Sequence, residues 1–328
     1  MESNLQTPVP SQRILVIAAD PALREKLAAA VQAGGGIPIR VAGLSAIETP
    51  QVQQRLVVFA WDGRVEELNA LTARMRDSAQ LVALVPQRTL GEQMALLQDP
   101  HCNHIITSDD RGMWLLQVTV QKFVSGDLFG VEKYLPAGAE VHLTRLRDYQ
   151  GRQSAIDEVL DFADKAGVRS QVRASIGQVC EELLMNALYD APVDEDGARL
   201  FEHVDLKERL SKLSPRPVSI RYALADDQFA ISVRDRFGGL GKDVILRFIN
   251  KCLRQDNQID RKTYGAGLGL YLIANAATHY IVNIAPGVAT EVVCTFDRTG
   301  SRRDKRLRAL SVFLYPGAAP AQPKAGKG

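Results

Sequence analysis

Aliphatic runs separated by polar segments set the rhythm of the first third of the chain. RILVIAAD (13–20) reads as a strand buried on both faces, because its apolar positions are continuous rather than alternating. Pro21 follows, and Leu23, Leu27 and Val31 recur at helical spacing, which predicts a helix with proline in its first turn. RLVVFAW (55–61), LVALVP (81–86) and HIITS (104–108) repeat the strand pattern, and stretches such as RVEELNALTARMRD between them are helix-like. Strands alternating with helices predict an open parallel α/β domain over 13–128, preceded by a loose polar tail at 1–12.

Residues 129–139 read as a linker, and the pattern changes beyond it. EVHLTRLRDY predicts a strand, and 152–166 and 170–190 predict two helices. The charged segment 191–215 reads as an insertion or loop. PVSIRYAL and QFAISVRD predict strands on either side of the turn ADDQ, and a helix follows over roughly 242–254. LGLYLIANAATH is helical in pattern, and YIVNIA and TEVVCTFD are strands. Strands grouped around several helices predict an α+β domain over 140–315, with a disordered tail at 316–328.

Composition adds exclusions. A net charge of +2 over 328 residues offers no general attraction for nucleic acid, so direct nucleic-acid binding is not expected. No apolar run reaches the roughly 18–20 residues that span a bilayer, and MESNLQTPVPSQ lacks the basic start and apolar segment of a secretory signal. Cys102, Cys180, Cys252 and Cys294 are scattered without C-x-x-C spacing, as expected for free thiols in a reducing compartment. A cytoplasmic protein is expected.

The candidate chemistry lies in the second domain. Leading into and through VCEELLMNALYDAP (179–192), Val172, Ile176, Val179, Leu183 and Ala187 form a core-facing stripe, and Glu182 and Asn186 stand one turn apart on another face. A carboxylate and an amide stacked this way can hold an attacking water and a hydrated Mg²⁺; taken alone, the spacing reads as an exposed polar pair. In YGAGLGLYLIANA (264–276), Gly265, Gly267 and Gly269 open onto an apolar helix, where backbone N–H groups can approach an anion. A hinge or packing turn is the plainer reading. VRDRFGGLGKD (233–243) is not a P-loop, because Lys242 is followed by Asp243 and lacks the upstream glycine spacing. What it offers is Asp235 at a strand end, able to accept from an exocyclic amine, followed by Gly238 and Gly239.

The order of these elements closely resembles the GHKL ATPase superfamily, to which histidine kinases, anti-sigma-factor serine kinases and gyrase belong. Glu182 and Asn186 match its N box, Asp235 to Leu240 its first glycine box, Gly265 to Leu270 its second, and Thr290 the trailing G-x-x-T element. The resemblance implies an ATP site in which Asn186 coordinates Mg²⁺ and Glu182 polarises water or an acceptor group. It implies that Asp235 reads adenine with Gly238, Gly239 and Thr290 around it. Gly265, Gly267, Leu268 and Gly269 would cradle phosphates beneath a lid at about 251–264. Arg254, Arg261 and Lys262 on that lid read either as phosphate contacts or as a solvated face. Two positions depart from the family: Phe237 replaces the first glycine of D-x-G-x-G, and Tyr189 stands where a basic residue or histidine often lies.

None of the five histidines sits in a phosphoacceptor context, so a self-phosphorylating histidine kinase is not expected. The stand-alone anti-sigma-kinase type is the nearest resemblance, because gyrase-type members need large following domains. The first domain resembles a response-regulator receiver that has lost its acids. Ala18 and Ala19 replace the pair after the first strand, leaving Asp20, and Ala60 takes the phosphoacceptor register with Asp62 nearby. Val85 and Ser108 replace the later Ser/Thr and Lys. A pseudo-receiver for protein interaction is implied; an unrelated flavodoxin-like domain is the alternative. The basic run RRDKRLR (302–308) reads as a strand end or as a docking site for an acidic partner. The expected function is bacterial two-component-type signalling with Mg²⁺ and ATP as cofactors, protein partners and a homodimer as an open expectation. Phosphotransfer to a partner serine or threonine and a non-catalytic scaffold remain the two alternatives.

Overall fold

A computed structural model describes residues 13–48, 54–86, 90–194, 197–201, 203–204, 208, 211–255, 273–274, 276–299 and 309–314. The tails at 1–12 and 316–328, the glycine run Gly265, Gly267, Leu268 and Gly269, and the basic run 302–308 lie outside them. The fold is mixed α/β, and the chain divides into two compact units, Met1–Leu128 and Phe129–Gly328.

In the first unit, β1 (Arg13–Ile17), β2 (Ile37–Val41), β3 (Leu56–Ala60), β4 (Gln80–Val85) and β5 (Cys102–Thr107) are parallel in the order β2-β1-β3-β4-β5. The helices are α1 (Pro21–Ala33), α2 (Val65–Thr72), α3 (Leu90–Leu97) and α4 (Asp110–Ser125). Asp20 caps α1 by accepting from the Ala22 N–H, and Pro21 occupies the first helical turn. Strands β3, β4 and β5 are buried almost throughout, as their aliphatic runs demand.

In the second unit, β6 (His142–Leu146), β7 (Val218–Ala225), β8 (Gln228–Arg234), β9 (His279–Ala285), β10 (Ala289–Asp297) and β11 (Ala309–Leu314) lie in the order β11-β9-β10-β8-β7-β6. All neighbours are antiparallel except β11 and β9. Helices α5 (Tyr149–Lys165) and α6 (Ser170–Met185) pack together against one face, and α7 (Lys242–Gln255) follows β8. Asp148 caps α5 through the Gly151 N–H at 2.7 Å. Phe162 of α5 meets the rings of His142, Tyr222 and Phe229 at 4.6–5.9 Å, which marks the helix-facing side of the sheet. Successive strand residues alternate sides, so Arg145, Ser219, Arg234, Glu291 and Asn283, opposite one another across five strands, share the other side.

Residues 129–139, expected as a linker, start with a 3₁₀ turn at Val131–Tyr134 whose Val131 and Tyr134 are buried. Its leading Gly130 N–H donates to both Glu291 carboxylate oxygens, at 2.9 and 3.2 Å, and Asn283 Nδ2 donates to Oε2 at 3.0 Å. These bonds satisfy a carboxylate with no solvent exposure in the middle of an aliphatic strand.

Candidate functional site

The turn after β8 is built around one carboxylate. Asp235 is only 6% exposed, and its Oδ1 accepts from the backbone N–H groups of Phe237 (2.7 Å), Gly238 (3.1 Å) and Thr290 (3.3 Å). Burial pushes its pKa above the ordinary 3.8, while the three N–H groups pull the other way. Among the described residues, Oδ2 accepts no hydrogen bond. The buried Thr290 hydroxyl lies near enough to favour the carboxylate charge but makes no bond of good geometry.

Backbone contacts clamp this turn to the β9–β10 hairpin. The Asp235 N–H donates to Thr290 O at 2.9 Å, and the Gly287 N–H donates to Gly238 O at 3.3 Å. Gly238 has φ +66°, and a Cβ there would lie 2.3 Å from Ala285 O, so glycine is required twice over. Gly239 differs: the nearest atom to a Cβ built on it is Ala191 O, at 4.0 Å. That approach brings the turn beside the chain leaving α6.

Helix α6 carries Glu182, and Asn186 directly follows its last residue, one turn on as the spacing predicts. The Asn186 N–H bonds to Glu182 O, so the two stand one turn apart, and both are partly exposed. Val172, Ile176, Val179, Leu183 and Ala187 are all buried. Burial pushes the Glu182 pKa up, the Glu181 and Asp190 carboxylates push it further, and Arg152 opposes them. From Asn186 the helix widens into a π turn over Asn186–Asp190. It carries Tyr189 into the interior, 1% exposed and 6.2 Å from the Phe201 ring, with its hydroxyl unpartnered. Phe237 is likewise buried, with the Arg216 guanidinium 5.2 Å above its ring.

One residue at this site escapes the sequence patterns. Arg152 on α5 is 3% exposed, donates to Glu181 at 3.2 Å, and lies 4.6 Å from the Tyr149 ring centre with Nε unpartnered. A charged residue at a core position of an amphipathic helix was the available signal. Thus Glu182, Asn186, Asp235, Gly238, Gly239 and Thr290 fall on α6, on the turn after β8 and on the β9–β10 hairpin it touches. The placement of Gly265, Gly267, Leu268 and Gly269 falls outside the described residues. Helix α7 runs through Gln255 and so includes the start of the stretch expected as a lid.

In the first unit, the acids near the strand ends are engaged locally. Asp20 caps α1, and Asp62 accepts from Arg64 Nε at 2.7 Å and pairs with its Nη2 at 2.6 Å. Arg24 Nη1 donates to Ala18 O at 2.6 Å and to Ala19 O at 3.3 Å, placing a guanidinium at the end of β1. No helix among the described residues is long and apolar enough to cross a membrane. No protein-family model matches the chain, and a search of curated proteins finds no match.

Proposed function

We propose that Phe129–Gly328 is a Mg²⁺·ATP-binding domain of the GHKL type in a cytoplasmic signalling protein, and that Met1–Leu128 is a receiver-like protein-interaction domain without a phosphorylation site. The observation that carries the reading is Asp235, a buried carboxylate with one oxygen triply bonded to backbone and the other without a described partner. The unpartnered Thr290 hydroxyl lies beside it. A carboxylate oxygen without a described partner, beside a buried and unpartnered hydroxyl, suits the edge of an adenine, which presents both a donating amine and an accepting ring nitrogen. The strand order of the first unit, β2-β1-β3-β4-β5, is that of flavodoxin-like and receiver folds, and Arg24 at the end of β1 suits a site that no longer holds a metal.

The residues present fit the nucleotide. Asn186 would hold Mg²⁺ through its side-chain oxygen, the remaining positions going to phosphate and water. Bound Mg²⁺ would neutralise charge on the phosphates. Glu182, one turn before Asn186, would accept the proton of a water or of a partner serine or threonine hydroxyl. Its raised pKa makes it a stronger base than an exposed glutamate. A second reading, a nucleotide-gated or nucleotide-independent scaffold, is favoured by Tyr189. The resemblance expects a phosphate-contacting side chain there, and the ring is buried instead.

Calorimetric titration with ATP, ADP and a non-hydrolysable analogue, with and without Mg²⁺, tests the site. Binding is expected to depend on Mg²⁺, Asn186→Ala to remove that dependence, and Asp235→Ala to abolish binding. Titrations unchanged by Asn186→Ala would refute the metal assignment. Glu182→Ala is expected to keep binding and lower phosphotransfer by about 10²–10⁴-fold; transfer absent from the unaltered chain favours the scaffold.

A further inference from the structure

On the side of the second unit's sheet opposite α5 and α6, a groove of about 540 Å³ is lined by Arg145, Arg216, Arg221, Arg234 and Arg236 together with Ser219. Register explains the gathering. Arg145 pairs with Ser219 and Ser219 with Arg234, while Arg221 pairs with Leu143, so three arginines from three strands face one way. Arg216 enters from the loop before β7, and Arg236 from the turn after β8.

The charge is poorly compensated. Arg221 lies 3.7 Å from Glu132, but Arg145, Arg216, Arg234 and Arg236 have no ion pair within 4.0 Å among the described residues. The Arg234 guanidinium lies 3.9 Å over the Phe129 ring, and its Nε is buried without a partner. Burial lowers its pKa, the Glu291 carboxylate opposes this, and Arg221 and Arg236 lower it further. Arg216 is held by stacking on Phe237 and by a bond from Nη1 to Arg236 O.

Guanidiniums crowded this way repel one another unless an anion sits among them. Planar forks in fixed positions match phosphoryl oxygens bidentately, which lysines would not do. The volume lies in the range of small-ligand sites. Among the described residues that line it none is aromatic, so the described lining offers no stacking platform of the kind found at single-strand nucleic-acid sites. We propose that this groove binds a compact anion carrying two adjacent phosphoryl groups, either free pyrophosphate or the diphosphate of a nucleotide, at a site separate from Asp235, Glu182 and Asn186.

The test is titration of the full chain with sodium pyrophosphate in EDTA, so that Mg²⁺-dependent binding is silent. Saturable one-to-one binding that weakens with added salt is expected. The Arg145→Ser/Arg221→Ser variant should weaken it at least tenfold, whereas Asn186→Ala should not weaken it. Arg236→Ser, a single exposed replacement, should weaken it severalfold and serves if the double variant fails to fold. In the Asn186→Ala/Asp235→Asn background, tighter binding of a nucleoside diphosphate than of pyrophosphate identifies a nucleotide as the source; the reverse identifies the free anion. The proposal is overturned by the absence of saturable binding, or by binding that survives the arginine replacements. It is also overturned if an oligoglutamate peptide or a short single-stranded RNA binds more tightly than either phosphate ligand.

Discussion

Asp235 and Gly238 show how much a short turn can specify. The Asp235 pKa is raised, so the folded state holds the proton more tightly than the unfolded chain. Its contribution to stability is therefore fully present below the unfolded value near 3.8 and lost as pH rises through the folded value. Asp235→Asn should accordingly gain stability relative to the unaltered chain as pH climbs from 3 towards 7. Urea denaturation across that range measures the difference, and a gap that is flat or moves the other way contradicts the assignment. The two glycines should separate cleanly. Gly238→Ala combines a left-handed backbone with a clash against Ala285 O and should cost roughly 2 kcal/mol or more. Gly239→Ala meets only ordinary contact and should stay within about 0.5 kcal/mol. For Glu182, raised by burial, any phosphotransfer should rise with pH through its elevated pKa, because only the ionised form accepts a proton.

Helix α6 carries its candidate site residues on one side and its packing on the other. The apolar stripe of α6 fixes its rotation, and that rotation alone leaves Glu182 and Asn186 partly exposed. The wider π turn at Asn186–Asp190 then changes the angular spacing of its own residues, and Tyr189 within it turns inward. Strand β10 holds Thr290 on the helix side and Glu291 on the other, where Gly130 and Asn283 donate to it. Replacing Glu291 with leucine would strand both donors and should cost about 3–5 kcal/mol, whereas Glu291→Gln keeps an acceptor and should cost less. Chemical denaturation distinguishes the two, and equal costs would show that the bonds to Gly130 and Asn283 matter little. Most strands are legible from their aliphatic runs. Strand β2 (IPIRV) is not, because an edge strand with exposed Ile37, a proline and an arginine needs no continuous apolar pattern.

For the whole molecule, the nucleotide reading confines ligand effects to one of the two units. Saturating Mg²⁺·ATP at one hundred times its Kd should stabilise the native state by about 2.7 kcal/mol. Hydrogen exchange should slow at the turn after β8, the end of α6 and the β9–β10 hairpin, with Met1–Leu128 unchanged. Protection spread evenly over both units would contradict the placement. The net charge of +2 describes the chain only as a sum. Arginines spread from 145 to 236 along the chain meet in one groove because strand register and alternation put them on the same side.

Period and spacing are local properties, so the strands, the amphipathic α6 and the i, i+4 pair of Glu182 and Asn186 can be read directly from the residues. The meeting of the Asp235–Gly238 turn with Thr290 and the β9–β10 hairpin depends on bonds between segments some fifty-five positions apart. The π turn, the burial of Glu291 and Arg152, and the arginine groove likewise depend on which segments become neighbours. Long-range pairing and desolvation decide those features, and neither leaves a periodic trace along the chain.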